Sequence, residues 1–265
     1  MHSRSANKKN NTAILSISFD ESPSGTYTNS DFHRAWGPGT PTNGLEEGRV
    51  AVVEEGGMKS LRVAYPKGSV GPGEGGAQWV RPLGGSYEEL CCSYRLRFGE
   101  GFDFARGGKL PGLAGGAMNT GGSRPDGTDG FSARMMWRPE GAIVQYVYHP
   151  DQPTIYGEDF QWNDHGKPLH FQPGRWYRVE HHIGMNTPGK RDGFIRCRLD
   201  GKEALLIDHI RFRNTDMFAI DAFYFSTFFG GADKSWAARK DEYLYFRDFV
   251  VTSADNDMQQ DRWMY

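Results

Sequence analysis

Apolar and polar residues alternate with a period of two in segment after segment of this chain, and turn residues separate the segments. Successive side chains of a strand point to opposite faces, so this pattern demands half-buried strands rather than helices. Residues 13–19 read as a first strand, followed by a turn-rich stretch to Gly48. Segments 49–54 and 60–65 flank Glu55-Gly56-Gly57, a hairpin signal. Residues 89–98 make a strong strand, and 131–138 and 142–149 flank Pro139-Glu140-Gly141. Segments 175–185, 193–199 and 203–210 follow, with Asp200-Gly201 turning between the last two. Segments 219–229 and 242–252 complete the set. No amphipathic helix longer than about three turns is visible. Strands at regular spacing predict an all-β fold, a β-jelly roll sandwich of two antiparallel sheets with a concave face.

A chain of 265 residues can bury one large core without staples. No internal repeat and no Pro/Ser linker divides it, so residues 13–265 are expected to form one domain behind a polar tail, 1–12. The tail lacks the apolar stretch of a signal peptide. No segment has the ~20 apolar residues of a membrane span. The net charge of −2 argues against a general nucleic-acid binder, yet leaves room for a local basic patch. Three cysteines, Cys91, Cys92 and Cys197, form no Cys-x-x-Cys pattern. They read as buried thiols, with one disulfide to Cys197 left open.

Within Phe131-Ser132-Ala133-Arg134-Met135-Met136-Trp137-Arg138, Phe131, Ala133, Met135 and Trp137 share an apolar face suited to a core. Ser132, Arg134, Met136 and Arg138 share the other face, which is equally the pattern of an ordinary solvated strand. On the partner strand Tyr146 and Tyr148 share a face, either as packed rings or as a sugar-stacking surface with titratable hydroxyls. The short turn between the strands would bring the Ser/Arg pair beside the Tyr/Tyr pair. Upstream, Lys109 lies among glycines in Gly107-Gly108-Lys109-Leu110-Pro111-Gly112-Leu113-Ala114-Gly115-Gly116. This is no phosphate-binding loop, because Leu110 stands where Ser or Thr is needed. It reads as a glycine-rich loop that allows close backbone approach.

The runs GGKLPGLAGG, DGFSARMMWR and QYVYHP together resemble polysaccharide lyase family 14, whose members act on alginate and glucuronan. The resemblance extends from about Phe19 to Phe249 and is sharpest between Lys109 and Tyr148; lyases of family 20 are less similar. It implies a jelly roll whose site holds Lys109, Ser132, Arg134, Tyr146 and Tyr148. Arg138, Gln145, His149 and His182 are expected to contact the substrate. β-Elimination at a uronate removes the C5 proton and expels O4. A cation at the C6 carboxylate, Lys109 or Arg134, would stabilise the enolate-like transition state. In β-mannuronate and β-glucuronate those two atoms lie on one side of the ring, so a single tyrosine could be both base and acid in a syn elimination. A phenol ordinarily titrates near ~10 and would need neighbouring cations for this. The residues do not decide between Tyr146 and Tyr148, and His149, His181 and His182 are alternative bases.

The expected activity is therefore cleavage of alginate, polymannuronate preferred, with glucuronan as the alternative substrate. A glycoside hydrolase would need paired carboxylates; Asp103, Glu158 and Asp159 read as isolated loop charges. A non-catalytic carbohydrate-binding sandwich would use platforms such as Trp79, Trp137, Trp162, Trp176 and Trp236, but not the Lys, Ser/Arg and Tyr/Tyr set. No cofactor or metal is required; Asp20, Glu21 and Asp248 offer oxygen ligands for a structural calcium without a recognisable loop. The partner is an acidic polysaccharide, with no nucleic acid or membrane. A monomer, secreted or periplasmic, is expected from where such polymers occur.

Overall fold

The computed structural model describes residues 13–253. In chain order come β1 (Leu15–Ile17), β2 (Gly25–Thr26), the helix α1 (Asn29–Trp36), β3 (Thr40–Asn43), β4 (Val50–Glu55), β5 (Met58–Tyr65), β6 (Ala77–Tyr87) and β7 (Glu89–Phe98). Then follow β8 (Gly108–Gly116), β9 (Gly130–Trp137), β10 (Ile143–Tyr148), β11 (Glu158–Gln161), β12 (Asn163–Asp164) and β13 (Lys167–Pro168). The chain continues through β14 (Trp176–Gly184), β15 (Gly193–Leu199), β16 (Lys202–Ile210), β17 (Ile220–Thr227) and β18 (Glu242–Ser253). The tail 1–12 and the segment 254–265 lie outside the described residues.

Two large antiparallel sheets form a jelly-roll sandwich. The back sheet runs β16-β15-β14-β7-β18-β5-β4-β2, with β1 also on β18. The front sheet runs β11-β10-β9-β8-β17-β6-β3. Their inner faces share one apolar core in which Trp79 stacks on Phe225 at 3.8 Å and Trp36 meets Trp79 edge-on at 5.1 Å. The Tyr94 hydroxyl crosses from the back sheet to donate to the Pro111 carbonyl at 2.9 Å. Among the described residues, no helix is long and apolar enough to cross a membrane.

Two elements differ from the expectation. The turn-rich stretch before Gly48 contains α1, started by a capping box in which Thr28 and Asp31 satisfy each other's backbone N–H groups. Eight residues are too few for a helical period to stand out, but they seat Phe32 and Trp36 in the core. The glycine-rich run around Lys109 is not a loop; it is strand β8, paired with β9 and β17. A Cβ at Gly108 would lie 2.2 Å from the Trp137 ring, and one at Gly112 would lie 2.2 Å from the Ala133 carbonyl oxygen. These glycines let β8 close tightly on β9, which a strand with side chains there could not do.

The hairpin of β9 and β10 follows the alternation. Arg134 sits directly opposite Tyr146, and Ser132 opposite Tyr148. Phe131, Ala133, Met135 and Trp137 enter the core between the sheets. Asp200 and Gly201 both adopt positive φ, 51° and 82°, as the turn between β15 and β16 requires. All three cysteines are buried, and Cys197 forms no disulfide.

Candidate active site

On the outer face of the front sheet lies a cleft of about 570 Å³, lined by Lys109, Arg134, Met136, Arg138, Tyr146 and Tyr148 among others. Lys109 comes from β8 opposite Met136, and Met136 is opposite Val144. Three adjacent strands thus set the cleft floor. The Lys109 ammonium lies 2.8 Å from the Met136 sulfur and 3.4 Å above the centre of the Tyr146 ring.

Arg134 is only 2% exposed. Its Nη1 donates to the Ser226 hydroxyl at 3.0 Å, and its guanidinium lies 4.9 Å over the Tyr224 ring. Its Nε has no partner, and among the described residues no carboxylate pairs with it. A buried guanidinium keeps its charge, so this cation is held without a counter-ion. Arg138 is different. It forms a two-pronged pair with Asp159, at 2.8 and 2.7 Å, and lies between the Tyr146 and Trp236 rings at 5.7 and 5.6 Å.

The two phenols pack edge to face, 5.6 Å between centres. Each oxygen accepts a backbone N–H: Gly157 donates to Tyr146 and Gly122 to Tyr148, both at 3.1 Å. The backbone thus anchors both phenol oxygens, and the two side chains also interact with each other. Burial, reinforced by the neighbouring Tyr148, raises the Tyr146 pKa well above the ordinary phenol range, and Arg134 and Arg138 only partly oppose this. Burial pushes the Lys109 ammonium well below the usual lysine range, helped by repulsion from Arg134 and Arg138. Burial thus disfavours the charged form of both groups: the phenol gives up its proton less readily, and the ammonium more readily, than in water.

Four expected contacts lie elsewhere. Ser132 is fully buried beneath the cleft and donates to the Asn119 carbonyl at 2.7 Å, fixing the loop that presents Thr120 and Gly121. Gln145 points to the core, where it accepts from the Cys197 thiol at 3.5 Å, because its neighbour Tyr146 takes the outer face. His149 is buried and pairs with Glu158 at 2.8 Å in a separate pocket of about 270 Å³; burial lowers its pKa despite that carboxylate. His182 lies on the outer face of the back sheet, bonded to Glu89 at 2.6 Å. His181 is a core residue without hydrogen-bond partners, its pKa pushed down by burial to about 3.

The acids named as isolated charges prove to be partners: Asp159 for Arg138 and Glu158 for His149. Trp79, Trp137 and Trp162 are core residues, and among the described tryptophans only Trp236 lines this cleft. Among the described residues, no group of three or more His, Cys, Asp or Glu could hold a metal, so Asp20, Glu21 and Asp248 do not gather as a calcium site. The sequence reading missed Gln78, Tyr156, Tyr224 and Ser226. Tyr224 and Ser226 had a signal, since alternation puts them on one face of an expected strand. Gln78 had none, because Pro82 and Gly84-Gly85 disguise β6.

A family model described as polysaccharide lyase 14 matches residues 53–249. Among solved structures, alginate lyase Aly36B is 28% identical with a TM-score of 0.80, covering 90% of this chain and 96% of its own. That protein was captured with an alginate tetrasaccharide after a lysine and a tyrosine were replaced by alanine. The family 14 alginate lyase of Aplysia kurodai is also 28% identical, with a TM-score of 0.77, covering 91% of this chain and 99% of its own. Alginate lyase vAL-1 of Chlorella virus is 26% identical, with a TM-score of 0.67, covering 77% and 89%. A comparison with curated proteins found no match. The fold and the cleft are those of a polysaccharide lyase. The chain belongs to polysaccharide lyase family 14.

Proposed function

We propose that this lyase cleaves a uronate polymer by syn β-elimination, with polymannuronate as the preferred substrate. The observation that carries the reading is Arg134: a buried cation facing the cleft without a counter-ion, beside an amine and two phenols. A site of this kind is completed by an anion, and the C6 carboxylate of a uronate supplies one. Arg134 neutralises that carboxylate and stabilises the charge that develops on it as the C5 proton leaves. Lys109, whose ammonium burial and the neighbouring arginines make readier to lose its proton, acts as the amine that takes the C5 proton. The electron pair forms the C4–C5 double bond and the C4–O4 bond breaks. Tyr146, holding its proton, donates it to O4, with Tyr148 as its supporting neighbour. The new ammonium then loses its proton to solvent and the phenolate regains one from solvent, which restores both groups.

Base and acid stand side by side on the cleft floor, so proton removal and donation occur on one face of the sugar. That geometry suits β-mannuronate and β-glucuronate, in which the C5 hydrogen and O4 share a side. Arg138 and Trp236 extend the binding surface along the cleft. All these groups come from one chain, which supports action as a monomer; the polymer's occurrence outside cells supports export. The test is ultraviolet detection of 4,5-unsaturated ends on polymannuronate, polyguluronate and glucuronan. The fastest initial rate should fall on polymannuronate. A clear preference for polyguluronate would sink the syn geometry.

A further inference from the structure

The outer face of the back sheet carries an arrangement that the cleft chemistry does not use. Pairing puts Arg247, Arg95 and Arg178 directly opposite one another across β18, β7 and β14. The next row runs Arg62, Tyr245, Arg97 and Trp176 across β5, β18, β7 and β14. Arg196 and Arg198 continue the field on β15, beside His182 and Glu180. Like charges directly opposite in neighbouring strands, ~4.8 Å apart, repel and destabilise a sheet.

Carboxylates are interleaved with this field, Glu203 among them at 3.4 Å from Arg196. Asp248 serves two arginines at once, 3.5 Å from Arg95 and 3.4 Å from Arg247. Glu180 lies 3.4 Å from Arg178, and Glu55 pairs with Arg97. Arg62 rests over the Tyr243 ring at 5.0 Å. The Nε atoms of Arg97 and Arg247 are buried without hydrogen-bond partners. Arg97 is stacked between Tyr245 and Trp176, at 4.2 and 5.5 Å, which holds its guanidinium flat on the sheet. The molecule as a whole carries −2, yet this one face gathers Arg62, Arg95, Arg97, Arg178, Arg196, Arg198 and Arg247, most of them with an acid alongside.

We propose that this face is a second, non-catalytic binding surface for the acidic polysaccharide itself. Rows of guanidiniums match a chain that bears a carboxylate on every sugar, and Trp176, Tyr245 and Tyr243 add flat apolar surface beside them. A polymer held on the back sheet keeps the enzyme near further substrate, so the cleft meets its next segment at raised local concentration. The choice of occupant rests on the uronate reading of the cleft.

The test is retardation in native gels cast with polymannuronate. A Lys109→Ala/Arg134→Ala variant, its cleft stripped of two cations, should still be retarded. Adding Arg95→Ala/Arg178→Ala should weaken that retention roughly tenfold or more. The same pair in the wild-type background should leave turnover of short oligomers unchanged and the melting temperature equal or higher, since like charges are removed. Unchanged retardation after Arg95→Ala/Arg178→Ala overturns the proposal. So does equal retardation by dextran sulfate, which would make the face a general polyanion site. Failure of the cleft reading looks different: no unsaturated product from any uronate polymer, whatever the gels show.

Discussion

The two outer faces of this sandwich both hold arginines, but in opposite electrostatic settings. On the front sheet Arg134 is buried, singly hydrogen-bonded and without a carboxylate. On the back sheet Arg95 and Arg178 are about half exposed, 46% and 40%, and share acids in a solvated network. A charge in water interacts weakly with everything, whereas a desolvated one interacts strongly with whatever reaches it. The front sheet is therefore suited to stabilising one reacting group, and the back sheet to holding many ordinary ones.

That contrast can be broken most sharply at Lys109. Lys109→Ala removes the proposed base and should cut turnover by ~10²–10⁴. The wild-type rate should fall as pH drops and the amine is protonated, with a midpoint below the usual lysine range. The folded-state pKa is depressed, so the unfolded chain binds the extra proton first. Stability should thus rise with pH between the folded value and the unfolded value near ~10.4. Thermal melts of wild type and Lys109→Met across that window check the sign: the slope should flatten in the variant. Near-normal turnover in Lys109→Ala would remove Lys109 from the mechanism.

Next in size is Arg134→Met. Loss of one transition-state donor should cost ~10²–10³ in turnover. Replacing an unpaired buried charge by an apolar side chain should nevertheless raise the melting temperature. A variant that loses activity and stability together would show that Arg134 is a structural prop. Smaller again is Gly157→Ala. Its Cβ would lie 2.9 Å from the Tyr148 ring and 3.0 Å from the Tyr146 ring, displacing both phenols. A loss of roughly tenfold in turnover with little change in KM is expected, as for misplacement of a reacting group. The smallest effect belongs to the back sheet: Arg95→Ala should change stability by no more than about 0.5 kcal/mol and leave oligomer turnover intact.

Much of this was legible in the sequence because strand alternation is a strict rule. It put Arg134 beside Tyr146 and sent Trp137 to the core. The same rule, applied to Gln145, already forbids it the outer face that Tyr146 occupies. Lys109 was legible as a site residue but not as a strand residue, because glycines carry no alternating pattern. The protonation states were not legible. They depend on burial and on charges that arrive from β9 and β11, distant in sequence. The pairing of Asp159 with Arg138 and Glu158 with His149 likewise arises only when β11 docks on β10.

The lone cation under the cleft has a further consequence at the end of the reaction. Elimination destroys the bond at O4, but the unsaturated sugar still carries its C6 carboxylate. Arg134 has no acid of its own to fall back on, so under the proposed mechanism it would hold spent ends by the same contact that recruits fresh ones. Late digests, rich in short unsaturated fragments, should slow the enzyme through competitive inhibition.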